Sequence, residues 1–314
     1  MGIAEAIPGV SGGTIAFITG IYEELLLTIK SFTPDKLRLL FKDPKGFWRG
    51  INGRFLIQLL IGMVFGLGFG IIVISHLLEN HQSLLWALFF GLVLGSVYLL
   101  GKDVRWAPQQ IFLALMGAVL AYFVTTLAPT SGSDHPLYLI MAGMIAISAL
   151  MLPGISGSFM LLLLGLYATI INGLKSLITE QDLTQVLPIA LFSLGALIGL
   201  FSFARVLSYC FKRFRQSTMA VMIGVLIGSL NKLWPWKKIT RIYDKELNQA
   251  ISFDGIRLTD DERFKVLSEV NILPDAYSNY TDPRVLFVFL CFLGGIILVV
   301  LLARMDQKEP ELEG

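Results

Sequence analysis

Apolar runs of about twenty residues, recurring along the whole chain, constrain this sequence more than any other feature. A helix needs roughly 20 apolar residues to cross about 30 Å of hydrocarbon. Such runs fall at 55–75, 84–100, 110–128, 137–172, 185–210, 217–233 and 284–303, and another reaches from the start to about residue 29. In lipid every backbone N–H and C=O must bond internally, so a spanning segment is a helix or part of a closed barrel. Barrel strands alternate apolar and polar residues, and the run from Leu161 to Leu164 does not. The fold class is therefore read as all-α, a polytopic integral membrane protein. Charge agrees. Only 15% of the 314 residues are charged, against roughly 25% in a soluble domain.

Several function classes drop out. Cys210 and Cys291 lie far apart in apolar runs, which fits buried thiols better than a disulfide or a CxxC site. There is no Walker A loop, no GxGxxG opening a helix after a strand and no HExxH. His76, His81 and His135 fall in loops without metal-ligand spacing. No cofactor, metal or nucleic-acid partner is expected, and ATP-driven transport by this chain alone is not.

The chain repeats itself. Residues 7–31 align on 152–176 at an offset of 145: Pro8, Gly9, Ser11, Gly12, Gly20, Tyr22, Lys30 and Ser31 match Pro153, Gly154, Ser156, Gly157, Gly165, Tyr167, Lys175 and Ser176. The next two helices align at an offset of 133, where Gly62, Gly66, Gly91, Gly95 and Ser96 fall on Gly195, Gly199, Gly224, Gly228 and Ser229. A weaker final match puts Gly117 on Gly294. Small residues recur in membrane helices as packing motifs, but eight identities in one window, followed by further matches in the same order, read as a duplication. The first repeat is 1–136: a re-entrant motif at 1–29, a basic loop at 30–54 and three transmembrane helices. The second is 137–314: a re-entrant segment at 137–172, transmembrane helices 185–210, 217–233 and 284–303, and a polar insertion at 237–283.

Basic residues orient the spans, because cytoplasmic loops are enriched in Lys and Arg. Lys30, Lys36, Arg38, Lys42, Lys45, Arg49 and Arg54 mark 30–54, and Lys102 and Arg105 mark 101–108, whereas 76–83 and 129–136 have neither. The segment 137–172, too long for one span and broken at Leu152-Pro153-Gly154, is read as turning back. The loop holding Lys212, Arg213 and Arg215 then also lies inside, and 237–283 lies outside. Each half becomes one re-entrant helical hairpin plus three spans, an odd number, so the second is inverted relative to the first. Inverted repeats around broken helices are the architecture of many secondary transporters. Only seven residues precede Pro8, too few for the descending arm of the first hairpin, so an upstream segment is expected.

The paired motifs are Ile7-Pro8-Gly9-Val10-Ser11-Gly12-Gly13-Thr14 and Leu152-Pro153-Gly154-Ile155-Ser156-Gly157-Ser158-Phe159. Proline stops the preceding helix, glycine permits left-handed backbone and serine caps the helix that follows. Pro8, Gly9, Pro153 and Gly154 are the candidate hinges. The product is a turn with unpaired N–H groups at a helix N-terminus, suited to a phosphate oxygen. One anion is expected between Ser11, Gly12, Gly13 and Thr14 on one side and Ser156, Gly157 and Ser158 on the other. A helix break that only helps the hairpins pack would need the same residues.

Charged residues inside apolar runs are functional candidates. Glu5, with Leu150 as its repeat partner, is a candidate for a coupling proton or cation, or a solvated end. Arg205 either attracts a lipid phosphate or snorkels to the surface. Tyr22 and Tyr167, and Trp86, Trp106, Trp234 and Trp236, are read as interface residues.

MGIAEAIPGVSGGTIAFITGIYEELL and LPGISGSFMLLLLGLY resemble the bacterial polyprenyl-phosphate transporters, long known only as a domain of unknown function. The resemblance covers nearly the whole chain. It implies a non-enzymatic flippase that returns undecaprenyl phosphate, the lipid carrier of cell-wall sugars, to the inner leaflet of the bacterial cytoplasmic membrane. Its expected partners are that lipid phosphate and membrane lipids; coupling to a proton or sodium gradient and the energy source stay open. The oligomeric state stays open, a homodimer included. Two alternatives remain at this point. An undecaprenyl-pyrophosphate phosphatase would share paired hairpins, but neither motif holds an arginine and no paired glutamates stand nearby. A small-ion transporter would show several intramembrane acids, and only Glu5 qualifies.

Overall fold

The computed structural model describes residues 1–5, 11–127, 129–130, 132–179, 183–244, 249–258 and 263–306. The chain opens with three short helices, α1 (Gly2–Glu5), α2 (Gly12–Ile18) and α3 (Tyr22–Lys30). The α2–α3 pair is bent by 116° across Thr19–Ile21. Next come α4 (Pro34–Lys42), α5 (Pro44–Gly50), the long kinked α6 (Gly53–Gly101) and α7 (Pro108–Thr126). The second half runs through α8 (Pro136–Met151), α9 (Gly157–Leu163), α10 (Tyr167–Thr179) and the kinked α11 (Val186–Ser229). A three-stranded antiparallel sheet follows, β1 (Lys237–Asp244), β2 (Gln249–Gly255) and β3 (Phe264–Asn271), in the order β2-β1-β3. The short α12 (Pro274–Tyr277) leads into α13 (Val285–Asp306). Proline opens α4, α5, α7 and α8, where its missing N–H is not needed.

The protein is an all-α, multi-pass membrane protein with this small sheet appended. Among the described residues, four helical stretches are long and apolar enough to span: Gly53–Ile74, Asn80–Gly101, Pro108–Thr126 and Leu183–Leu233. Leu183–Leu233 is broken at Phe214. Pro136–Met151 and Val285–Leu301 are shorter apolar helices. The sheet was not foreseen; the sequence marked 237–283 only as polar.

Segments matched in sequence share backbone conformation. Helices α2 and α9 each have seven residues, start 145 positions apart, and end in a left-handed glycine, Gly20 (φ 76°) and Gly165 (φ 67°). The kink of α6 falls at His81 (φ −143°, ψ 42°) and that of α11 at Phe214 (φ −132°, ψ 45°), 133 residues later. Neither kink has a proline or glycine at its centre.

The matched glycines make matched contacts. A methyl group on Gly91 would overlap the Phe292 carbonyl, and one on Gly224 the Ala114 carbonyl. Gly117 would meet the Val221 carbonyl at 2.5 Å, and its structural equivalent is Gly295 against the Leu88 carbonyl. Gly294 touches only the Leu88 side chain, at 3.9 Å. The sequence match of Gly117 to Gly294 was therefore one residue short. These contacts cross the halves: α7 packs on the second limb of α11, and α13 on the second limb of α6.

Helices α8 and α9 run back along each other. A Cβ on Gly157 would lie 3.1 Å from Leu150 Cβ and 3.3 Å from the Ala146 carbonyl. Farther out, Tyr138 donates to the Leu164 carbonyl (2.7 Å) and the Thr130 amide to the Leu163 carbonyl (2.9 Å). Polar contacts collect at two ends. At one, Glu23 pairs with Arg215 (3.0 Å), Asn52 donates to Glu24 (2.8 Å), and Gln216 bonds the backbone of Asp103 and Arg105. At the other, Arg284 meets His81 (3.0 Å), and Asn271 donates to Asn231. The tryptophans there serve the sheet. Trp234 and Trp236 donate to the carbonyls of Ile272 and Pro283, and Trp86 is buried beneath Lys237. Of the four assigned to the interface, Trp106 alone is exposed.

Candidate functional site

The two PGxSG turns meet. Ser11 is fully buried and sits in extended backbone (φ −110°, ψ 138°) just before α2. Its hydroxyl accepts the Gly13 amide (3.1 Å) and donates to the Leu150 carbonyl (3.1 Å), immediately before the second turn. The Thr14 hydroxyl accepts the Gly154 amide at 2.8 Å. Gly13 lies so close to the second turn that a Cβ would meet the Leu150 carbonyl at 2.9 Å. Of the four candidate hinges, Pro8 and Gly9 lie outside the described residues. Pro153 is buried and Gly154 has φ +89°, a conformation that glycine adopts without strain.

The amides of the first turn are not unpaired, as the sequence suggested. Gly12 donates to Glu5 Oε1 (2.8 Å), Gly13 to Ser11 and Thr14 to the Ser11 carbonyl (3.0 Å). A half-buried carboxylate thus stands where an anion was expected, held by the positive end of α2. The second turn differs. Ser156, also extended (φ −92°, ψ 135°), makes no side-chain cap for α9. Its hydroxyl lies 2.8 Å from that of Ser158, which is exposed. Of the candidate donors on the two turns, Ser158 is exposed, whereas Ser11, Gly12, Gly13, Thr14, Ser156 and Gly157 are buried.

Two residues at this junction were misread or missed. Tyr22 is 2% exposed, and its hydroxyl donates to the Met151 carbonyl; it is no interface residue. Its ring packs edge-on to Phe17 and Phe211, at 5.4 and 5.8 Å. Ser229 closes over the second turn, since a Cβ on Gly154 would meet its hydroxyl at 2.7 Å. The pairing of Ser229 with Ser96 in the repeat was the available signal. Arg205 lies on the exposed face of α11, with no hydrogen bond to either turn among the described residues. Cys210 and Cys291 are free and half-buried rather than buried. Among the described residues no cluster of His, Cys, Asp and Glu could hold a metal ion.

Residues 1–251 match the model of the undecaprenyl phosphate translocase-like family. The chain belongs to this family. A polyprenyl-phosphate transporter of Vibrio cholerae serotype O1 is 40% identical over 312 residues, covering 98% of this chain and 94% of that protein. A polyprenyl-phosphate transporter of Staphylococcus aureus is 30% identical over 251 residues, covering 75% of this chain and 83% of that protein. Both relatives of this family member are named as transporters, not enzymes. No solved structure matches the chain.

Proposed function

We propose that the protein carries a polyprenyl phosphate, undecaprenyl phosphate, from the outer to the inner leaflet of the bacterial cytoplasmic membrane. Both relatives are named for such a cargo. The observation that carries the mechanism is the pair of bonds joining the turns, Ser11 to Leu150 and Thr14 to Gly154. One hairpin leads back to the end holding Glu23, Arg215 and the basic loops, which we assign to the cytoplasm. The other leads back to the end holding Thr130, Asn231 and the sheet, which we assign to the outside. The repeats are then inverted, and their tips share one pocket.

In this conformation the tips are closed on each other, with Ser11, Thr14 and Ser156 all buried. Transport requires them to part. A phosphate enters on the second turn, held by Ser156, Gly157 and Ser158, and competes with Glu5 for the amide of Gly12. Glu5 acts as a tethered anion that keeps the empty cradle satisfied. Its exchange with the cargo is where a proton or sodium gradient couples. Arg205, away from the tips, draws the headgroup along the lipid-facing side of α11. Phosphatase chemistry would need cationic and paired acid–base groups at the turns, and no arginine or second carboxylate bonds to them among the described residues.

A leaflet-resolved assay in proteoliposomes, using polyprenyl phosphate, tests this reading. Wild-type protein should move the lipid. Ser158→Leu, at an exposed position, should abolish flux and leave melting unchanged. Wild-type flux from Ser158→Leu would remove the second turn from the mechanism.

A further inference from the structure

The basic stretch before the first long span is not a loop. Residues 34–50 form α4 and α5, two short helices joined at Asp43. Thr33 caps α4, and Asp43 caps α5 through the Gly46 amide (3.0 Å). The Lys36 ammonium bonds the Gly50 carbonyl and folds the two helices into an elbow. The elbow has a fixed place. The Trp48 ring packs over Gly53, the first residue of α6, and Asn52 is tied to Glu24. It therefore sits at the level where a membrane span begins.

No residue of α4 is buried. Leu37, Leu40 and Phe41, at i, i+3 and i+4, share one face, and Phe41 is 89% exposed. Asp35, Arg38 and Lys42 share the opposite face. Across 30–54 there are seven cations against two carboxylates, Asp35 and Asp43. Arg38 is only loosely paired with Asp35, at 3.8 Å, and its side chain is 79% exposed. An apolar face left exposed among the described residues, a basic face opposite it and a tryptophan at the start of a span make a surface suited to the headgroup layer. Basic clusters next to a span bind anionic lipid headgroups.

The geometry points to a membrane-surface arm: α4 and α5 lie on the leaflet at the start of α6, bury Leu37, Leu40 and Phe41 among the acyl chains, and hold anionic phospholipid headgroups with Arg38, Lys42, Lys45 and Arg49. This is separate from the transport site, and its test does not depend on flux. Full-length protein is placed in nanodiscs of neutral phosphatidylcholine alone or with phosphatidylglycerol, and amide hydrogen exchange is followed over 34–50. Exchange should slow at least tenfold in the anionic discs. Added salt should reverse part of the slowing. The charge reversal Arg38→Glu/Lys42→Glu/Lys45→Glu should remove it, while exchange over 108–126 stays unchanged. Phe41→Asp should speed exchange in both kinds of disc. Equal exchange in the two lipids, or wild-type slowing in the charge-reversed protein, would overturn the assignment. Protection that appears in detergent and rises with protein concentration would overturn it too, because a second copy would then be the occupant.

Discussion

The hydroxyl of Thr14 accepts the amide of Gly154 at 2.8 Å, across 140 residues of sequence. The acceptor belongs to the first turn and the donor to the second, so one bond couples the two halves of the chain. The repeat partner of Thr14 is Phe159, which has no hydroxyl, and the junction is asymmetric at its centre.

Removing that acceptor isolates its contribution. Thr14→Val keeps the shape and leaves the Gly154 N–H without its partner in a buried turn, at a cost of about 1–3 kcal/mol. Thr14→Ser keeps the oxygen and should melt near wild type. Thermal melting in detergent micelles checks this; equal melting of the valine and serine variants would mean that the bond contributes nothing.

Glu5 should separate into a structural and a coupling role. Glu5→Gln keeps an oxygen for the Gly12 amide and should remain folded, but its flux should no longer respond to an imposed proton gradient. Glu5→Ala leaves the first amide of α2 uncapped and should lose about 1 kcal/mol. Flux in proteoliposomes with and without the gradient reads the first effect, and melting reads the second. Gradient-sensitive transport by Glu5→Gln would exclude this carboxylate from coupling.

Lys237 predicts an alkaline gain in stability. Its ammonium is buried over Trp86 (4.0 Å), donates to the Lys232 carbonyl (2.7 Å) and lies 3.7 Å from Glu269. Burial pushes its pKa down from 10.5 to about 8. Between those values the unfolded chain binds the proton and the folded chain does not, so stability rises with pH across that window. The gain is of the order of 2–3 kcal/mol. It is absent below pH 8, where both states are protonated. Lys237→Met should flatten the difference between melting at pH 7.5 and pH 10, and parallel profiles for the two proteins would contradict it.

Close helix packing should fail at one glycine and tolerate change at another. Gly224→Leu drives a side chain into the Ala114 carbonyl, whereas Gly68 has nothing within 4 Å. Overpacking of this kind costs about 3 kcal/mol. Gly224→Leu should lower the melting temperature, and Gly68→Leu should leave it near wild type.

The breaks before α2 and α9 and their matched left-handed glycines were legible because proline, glycine and serine carry backbone information, and they recur at a fixed offset. What escaped has identifiable causes. The contact of Thr14 with Gly154 breaks the repeat, so comparing the halves could not find it. Tyr22 sits near a segment end, where tyrosine ordinarily faces the interface, yet it turns inward to Met151. The sheet hid behind a bulge. Pairing shifts register between Ile239 and Arg241, so Ile239 and Ile242 both face inward although they are three residues apart, a spacing that reads as helical. The amides of the first turn were assigned to a ligand because the sequence did not show that Glu5 reaches Gly12 and that Ser11 takes those of Gly13 and Thr14.

The crossed packing of α7 and α13 bears on how the chain is made. Helix α7 emerges from the ribosome before the limb of α11 that its Gly117 fits, and until then only lipid is available to that face. Helix α13, made later, closes onto a limb of α6 inserted long before. With its packing crossed in this way neither half is a self-contained folding unit, and a chain cut between them would hold together only if both pieces were inserted in the same membrane.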